Sequence, residues 1–288
     1  MNILKIAAAV ALVAAAAPSM AKITILAEDS NELVLNVWSV SQQASYTQDL
    51  GLTLGAMLAG GMSNAGYSFS AAVTSTLTSQ AALANASDLR WSVTVFDTAG
   101  DFQPDATRLL TTYNPATAPG GFVPTGPGSN IAAGPAIVAA DIQSSQATWE
   151  AFISNVNQVG GHTAAGNGSS YSTPSTNALG YLLNFDAPAG NMQGFLQNFD
   201  TGLAQGASSN FYYFTGGDAD FADSPAKILQ FKNSANNGTW TFDGSTVSYT
   251  LAAAVPVPEP ESYALMLAGL AALSMLAKRR NSRPDTRG

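Results

Sequence analysis

Asp218, Asp220 and Asp223 fall within six residues, directly behind Gly216-Gly217. Ca²⁺ takes several hard oxygen ligands, which carboxylates at this spacing can supply. The segment lacks the full spacing of an EF-hand loop or a calcium-binding nonapeptide array. It is therefore a weak Ca²⁺ candidate, and a solvated acidic turn accounts for the same residues. Asp97 and Asp101 make a poorer pair. His162, the single histidine, stands between Gly161 and Thr163. A hydrolase would need it paired with a nucleophile and an orienting acid, and the chain has no Gly-x-Ser-x-Gly elbow, so it reads as an exposed loop residue. Glycosidase carboxylates are defined by separation in space, so none of Glu28, Glu32 and Glu150 can be singled out. With no catalytic motif, the chain reads as non-enzymatic and without a cofactor.

Trp38, Trp91, Trp149, Trp240, Tyr212 and Tyr213 could stack on sugar rings. Most occupy the apolar phase of an expected element, which makes core packing the better reading. Tyr212 and Tyr213 are adjacent, so on a strand their rings face opposite sides and one is free to be exposed.

These side chains need a scaffold, and the composition narrows it. The chain has 288 residues, of which 46% are hydrophobic and only 10% charged, and its formal net charge is −8. Charged residues fall well below the roughly 25% usual in soluble domains, so solubility must rest on hydroxyls and amides. The absence of cysteine excludes disulfides, thiolate metal sites and cysteine nucleophiles. Between residues 22 and 258, five basic residues face 16 carboxylates. Phosphate backbones repel such a body, which argues against nucleic acid as a partner.

Leu33–Val40 is rich in β-branched and aromatic residues and reads as a strand with Leu33, Leu35 and Val37 on one apolar face. Leu89–Phe96 alternates cleanly and predicts a half-buried strand. Thr239–Phe242 and Thr246–Leu251 flank Asp243-Gly244-Ser245, a hairpin signal that puts Trp240, Phe242, Val247, Tyr249 and Leu251 on one face. Shorter strands are expected at Gly180–Phe185, Asn210–Phe214 and Lys227–Phe231. Ile137, Ala140, Trp149, Phe152, Ile153 and Val156 recur near helical spacing, which predicts a helix over roughly residues 136–158, stopped by Gly160-Gly161. Pro- and Gly-rich residues 104–134 read as a long surface excursion and residues 159–176 as a second loop. The expectation is a mainly β chain, a single β-sandwich-like domain with one inserted helix.

Both ends carry addresses. Lys5 precedes an apolar run from Ile6 to Ala17, Pro18 breaks it, and Ser19 and Ala21 place small side chains three and one residues before a cut. That pattern predicts a signal peptide over residues 1–21, removed by signal peptidase, and an exported ectodomain over residues 22–253. Residues 254–288 begin with prolines at 256, 258 and 260, which favour an extended stalk. The 15-residue apolar run Tyr263–Ala277 follows, then Lys278-Arg279-Arg280. The run is expected to form a transmembrane helix in a locally thinned inner membrane, with the basic cluster as the cytoplasmic stop.

Val257-Pro258-Glu259-Pro260, Tyr263, Ala268-Gly269-Leu270 and Lys278-Arg279-Arg280, in that order, resemble the PEP-CTERM sorting signal of Gram-negative bacteria. The likeness covers about the last 30 residues, and the tail Asn281–Gly288 is longer than is usual after the arginines. It implies an inner-membrane-anchored precursor, recognition of Val257–Pro260 by an exosortase, and release or transfer of the ectodomain to the cell surface or the extracellular space. It also implies an association with exopolysaccharide and biofilm formation. The segments Glu32–Trp38 and Ser45–Gly51, with the closing hairpin, resemble the bodies of uncharacterised proteins that carry this signal. The resulting reading is a non-enzymatic surface or matrix protein. The alternative is a secreted polysaccharide-binding or polysaccharide-active protein.

Overall fold

The computed structural model describes residues 22–25, 28–62, 66–97, 107–113, 131–132, 139–163, 167–182, 202–215, 227–253 and 260–281. Among the described residues, twelve strands are joined into one antiparallel sheet. They are β1 (Glu32–Ser39), β2 (Ala44–Thr53), β3 (Tyr67–Ala72), β4 (Arg90–Phe96), β5 (Arg108–Thr112), β6 (Ile131–Ala132), β7 (Ser169–Ser172), β8 (Leu203–Ala204), β9 (Ser208–Thr215), β10 (Lys227–Gln230), β11 (Thr239–Phe242) and β12 (Thr246–Leu251). The helices are α1 (Leu54–Ala56, continued by a π turn over Met57–Gly61), α2 (Ser75–Thr78), α3 (Ala81–Ala84), α4 (Ala139–Val156) and α5 (Pro260–Asn281).

The main path runs β3-β12-β11-β9-β5-β4-β1-β2-β7, with β10 on β9, β6 on β10, and β8 on β4. The expected sandwich is corrected at β9. Its first residues pair with β11, Thr239 opposite Asn210, while Tyr212–Thr215 pair with β10 on that side and with β5 on the other. A strand that changes partner bends the sheet without breaking it, so the two halves stay continuous and curl around a common interior.

That interior holds Leu33, Leu35, Val37, Tyr46, Trp91, Val93, Trp240, Phe242, Val247, Tyr249 and Leu251, closed by Leu54, Met57, Leu77 and Leu83 of α1–α3. The rings of Trp91 and Phe242, from opposite limbs of the curl, lie 6.0 Å apart. A second core lies on the other face, where Ile142, Trp149, Phe152, Ile153 and Val156 of α4 pack against Val34, Trp38, Phe96, Leu109, Tyr212 and Phe214. With both faces covered, β1 is buried along its whole length and β4 everywhere except Arg90. The half-buried expectation for β4 is thereby corrected.

The closing hairpin forms as its sequence dictates, with Trp240 opposite Tyr249 and Phe242 opposite Val247. Gly244 makes its turn at φ +97, a backbone region costly to residues with a Cβ. The described part of the expected 104–134 excursion includes β5, and the 159–176 loop includes a 3₁₀ turn, Gly160–Thr163, and β7. Ala178–Gly180 is a 3₁₀ turn where a strand was expected to begin at Gly180, and residues 183–185 lie outside the described residues. The chain divides into two units, Met1–Ala253 and Ala254–Gly288.

Candidate functional site

The sorting segment starts close behind the body's last strand. Asn233 Nδ2 donates to the Ala252 carbonyl at 2.7 Å, and Asn236 Nδ2 to the carbonyls of Ala252 and Ala253 at 3.2 and 3.1 Å. The loop between β10 and β11 therefore fixes the main chain at the point where it leaves the sheet. Val257, Pro258 and Glu259 lie outside the described residues, and Pro260 opens α5. Proline suits the first position of a helix because its missing N–H has no intrahelical partner there. Lys278, near the C-terminal end, places a positive charge where the helix dipole favours one.

Leu265, Met266, Leu267, Leu270, Leu273, Met275 and Leu276 of α5 are exposed. Among the described residues, no helix is long and apolar enough to cross a membrane. This corrects the transmembrane expectation. Fifteen residues at 1.5 Å each rise only about 22 Å, against a hydrocarbon core of about 30 Å.

Ser19 and Ala21 of the expected signal cleavage site, and the Ca²⁺ candidates Asp218, Asp220 and Asp223, lie outside the described residues, as does Asp101. Asp97 is committed elsewhere. It is 3% exposed and accepts from Arg108 Nε and Nη2, both at 2.5 Å, while Arg108 Nη1 reaches Asp29 at 2.9 Å. The bond to Asp97 holds the guanidinium charged despite its partial burial.

His162 is not the exposed loop residue its glycine neighbours suggest. It is 0% exposed, with Nε2 3.4 Å from the Thr47 carbonyl. Burial pulls its pKa down to about 4, so the ring is neutral at pH 7. Close glycine packing sets the turn that carries it: a Cβ on Gly168 would meet the Gly161 carbonyl carbon and the His162 nitrogen, each at 2.7 Å.

Two buried carboxylates that the sequence did not single out lie on the same face of the sheet. Glu32 Oε2 accepts from the Thr24 N–H at 2.6 Å, and Asp49 Oδ1 accepts from the Gly51 N–H at 2.7 Å. Burial, and secondarily the charge of Glu32, push the Asp49 carboxyl up to about 7. A faint signal is present, since Ser45, Thr47 and Asp49 occupy one polar phase of a segment whose other phase, Ala44, Tyr46, Gln48, Leu50 and Leu52, is apolar except at Gln48. The aromatics, by contrast, pack as expected. All four tryptophans are buried, and Tyr212 and Tyr213 point to opposite faces, the first buried in the outer core and the second half-buried against the interior.

Residues 256–280 match the family model described as the PEP-CTERM protein-sorting motif. The chain carries a PEP-CTERM sorting motif. The match takes in Val257–Pro260 and α5 as far as Arg280, and it begins just past the carbonyls that Asn233 and Asn236 hold. It marks an exported protein, processed at the membrane with exosortase as the processing partner. No curated protein and no solved structure matches the chain.

Proposed function

We propose that the curled-sheet body is the cargo of the PEP-CTERM motif, a non-enzymatic protein delivered to the cell surface or extracellular matrix of a Gram-negative bacterium. In this reading it is associated there with exopolysaccharide and biofilm. The motif match at residues 256–280, directly behind a body that is a unit of its own, carries the reading. Signal peptidase removes residues 1–21, and an exosortase cuts near Val257-Pro258-Glu259-Pro260. In an exosortase-bearing host, replacing Pro258, Glu259 and Pro260 with alanine leaves the first cut intact and blocks the second. Blots of fractionated cells then show a larger, cell-associated form. Export of the triple variant at wild-type size and rate would overturn the proposal.

One surface favours the second reading, binding of a neutral polysaccharide. On the face turned away from the interior, Ser68, Thr250, Thr239 and Asn210 stand in register across β3, β12, β11 and β9, with Ser70, Ser248, Thr241 and Ser208 in the next row. These eight positions carry no charge. An adjoining open hollow of about 430 Å³ adds Asn236 and Asn237. Hydroxyls and amides both donate and accept, which suits a polyol and does not select for charge. Retention of the body on immobilised neutral glycans, weakened by Thr241→Val with Thr250→Val, is the expected result if this reading holds.

A further inference from the structure

Among the described residues, Asn36 Nδ2, Asp49 Oδ2, His162 Nδ1 and Ser170 Oγ are four buried polar atoms on the outer face of the sheet without a hydrogen-bond partner. Their residues are 0 to 1% exposed. Strand register brings them together. Asn36 on β1 stands opposite Thr47 on β2, and Thr47 opposite Ser170 on β7, so three neighbouring strands present one polar row. Asp49 lies two residues along β2 from Thr47 and hence on the same face. The Gly160–Thr163 turn covers the row from above. A Cβ on Gly160 would meet Ser170 Cα and Cβ at 3.0 and 3.1 Å, and the His162 ring reaches the Thr47 carbonyl. Thr47 Oγ1 donates to Asn36 Oδ1 at 3.2 Å, which satisfies the amide oxygen and leaves its nitrogen without an acceptor.

A buried donor or acceptor without a partner is costly, and native proteins leave few of them. Four gathered on one face therefore specify an occupant. Neighbouring strands lie about 4.8 Å apart and two residues along a strand span about 6.8 Å, so the row is roughly 10 Å long. One metal ion, with ligands at about 2.0–2.6 Å, cannot reach all four atoms. Among the described residues no three His, Asp or Glu side chains gather around a common point either. The occupant must accept from the Asn36 amide and pair with the Asp49 oxygen, donating to it when the carboxyl is ionised and accepting from it when the carboxyl is protonated. With His162 Nε2 carrying its proton toward the Thr47 carbonyl, the occupant must also donate to Nδ1, while Ser170 takes either role. Molecules that donate and accept at separations near 2.8 Å meet all these demands in a chain.

We propose that the face enclosed by β1, β2, β7 and the Gly160–Thr163 turn is a buried hydration site, in which about two or three ordered waters are held by Asn36, Asp49, His162 and Ser170. The waters complete the hydrogen bonding that joins the edge strand β7 to the interior strands. This site is independent of the sorting end.

The test is oxygen-17 relaxation dispersion on the full chain in detergent, which counts waters residing longer than molecular tumbling, together with elemental analysis of the same sample. The expected result is at least two long-lived waters and no stoichiometric metal. Ser170→Ala and Asn36→Ala, both able to keep the strands paired, should each lose at least one. A wild-type chain without long-lived water would overturn the proposal, as would a metal bound at one per chain or a count unchanged in both variants. Because the first two measurements use the wild type, a variant that fails to fold leaves the test decisive.

Discussion

Asp49 and His162 give the stability of the body opposite dependences on pH. The Asp49 carboxyl titrates at about 7 in the fold and near 3.9 in an unfolded chain. Between those values the folded state holds a proton that the unfolded state has released. Stability therefore falls as pH rises from about 4 to about 7, by at most about 4 kcal/mol at 1.36 kcal/mol per unit. His162 titrates at about 4 in the fold and near 6.5 unfolded, so its contribution is lost as pH falls through the same window. Asp88, held down at about 2 by Ser39 and Ser41, acts only below that window. The two buried groups largely cancel in the wild type between pH 4.5 and 6.5. Asp49→Asn should leave a stability that climbs with pH, and His162→Gln one that declines, as read by urea unfolding at half-unit steps. Variants that both keep the wild-type profile would show that neither group is buried as described. Arg108→Ala makes a separate prediction. It strands the Asp97 carboxylate in a site 3% exposed, which should cost about 3 kcal/mol, more than Arg108→Lys.

At the scale of elements, the local chemistry of the sequence was decisive wherever a segment folds by itself. The β11–β12 hairpin reads directly because the turn glycine and the alternating Trp240, Phe242, Val247 and Tyr249 agree, and α4 reads from its apolar spacing. Strand β7 could not be read. Ser169-Ser170-Tyr171-Ser172 has no apolar alternation and becomes a strand only because β2 offers it Ser45–Gln48 as an edge. The same long-range pairing hid β5 within a Pro- and Gly-rich stretch and buried His162 behind glycines that look like a loop. Element boundaries follow from contacts here, and so do the polar groups that those contacts enclose. Gly168→Ala tests this point. Its Cβ would drive into backbone at 2.7 Å, so the turn over β7 must shift, and a destabilisation of about 1–3 kcal/mol is expected. Amide exchange should rise first in β7 and at Thr47, while the β11–β12 hairpin stays protected. Uniform loss of protection would mean that β7 and the hairpin open as one unit.

For the whole molecule, the division at Ala253 and Ala254 separates what folds from what addresses. Within the body, Leu251 is buried and closes the β12 register opposite Tyr67, and the next two carbonyls are held by Asn233 and Asn236. At the other end, the Ile23 main chain is held on both sides by Asn157 at the end of α4, with N–H to Oδ1 at 2.8 Å and Nδ2 to C=O at 3.0 Å. Both ends of the body are thus fastened by asparagine amides, just inside the two expected processing points. A chain reduced to residues 22–253 keeps every one of these bonds and both cores, so its thermal unfolding should remain a single cooperative transition within about 2 °C of the full-length protein in the same detergent. Asn157→Ala in that reduced chain should lower the midpoint, because Ile23, buried in the outer core, then loses both main-chain partners. A reduced chain that aggregates, or that melts without a cooperative transition, would show that the body depends on the sorting segment for its fold, and cutting at the PEP-CTERM motif would then release an unstable product.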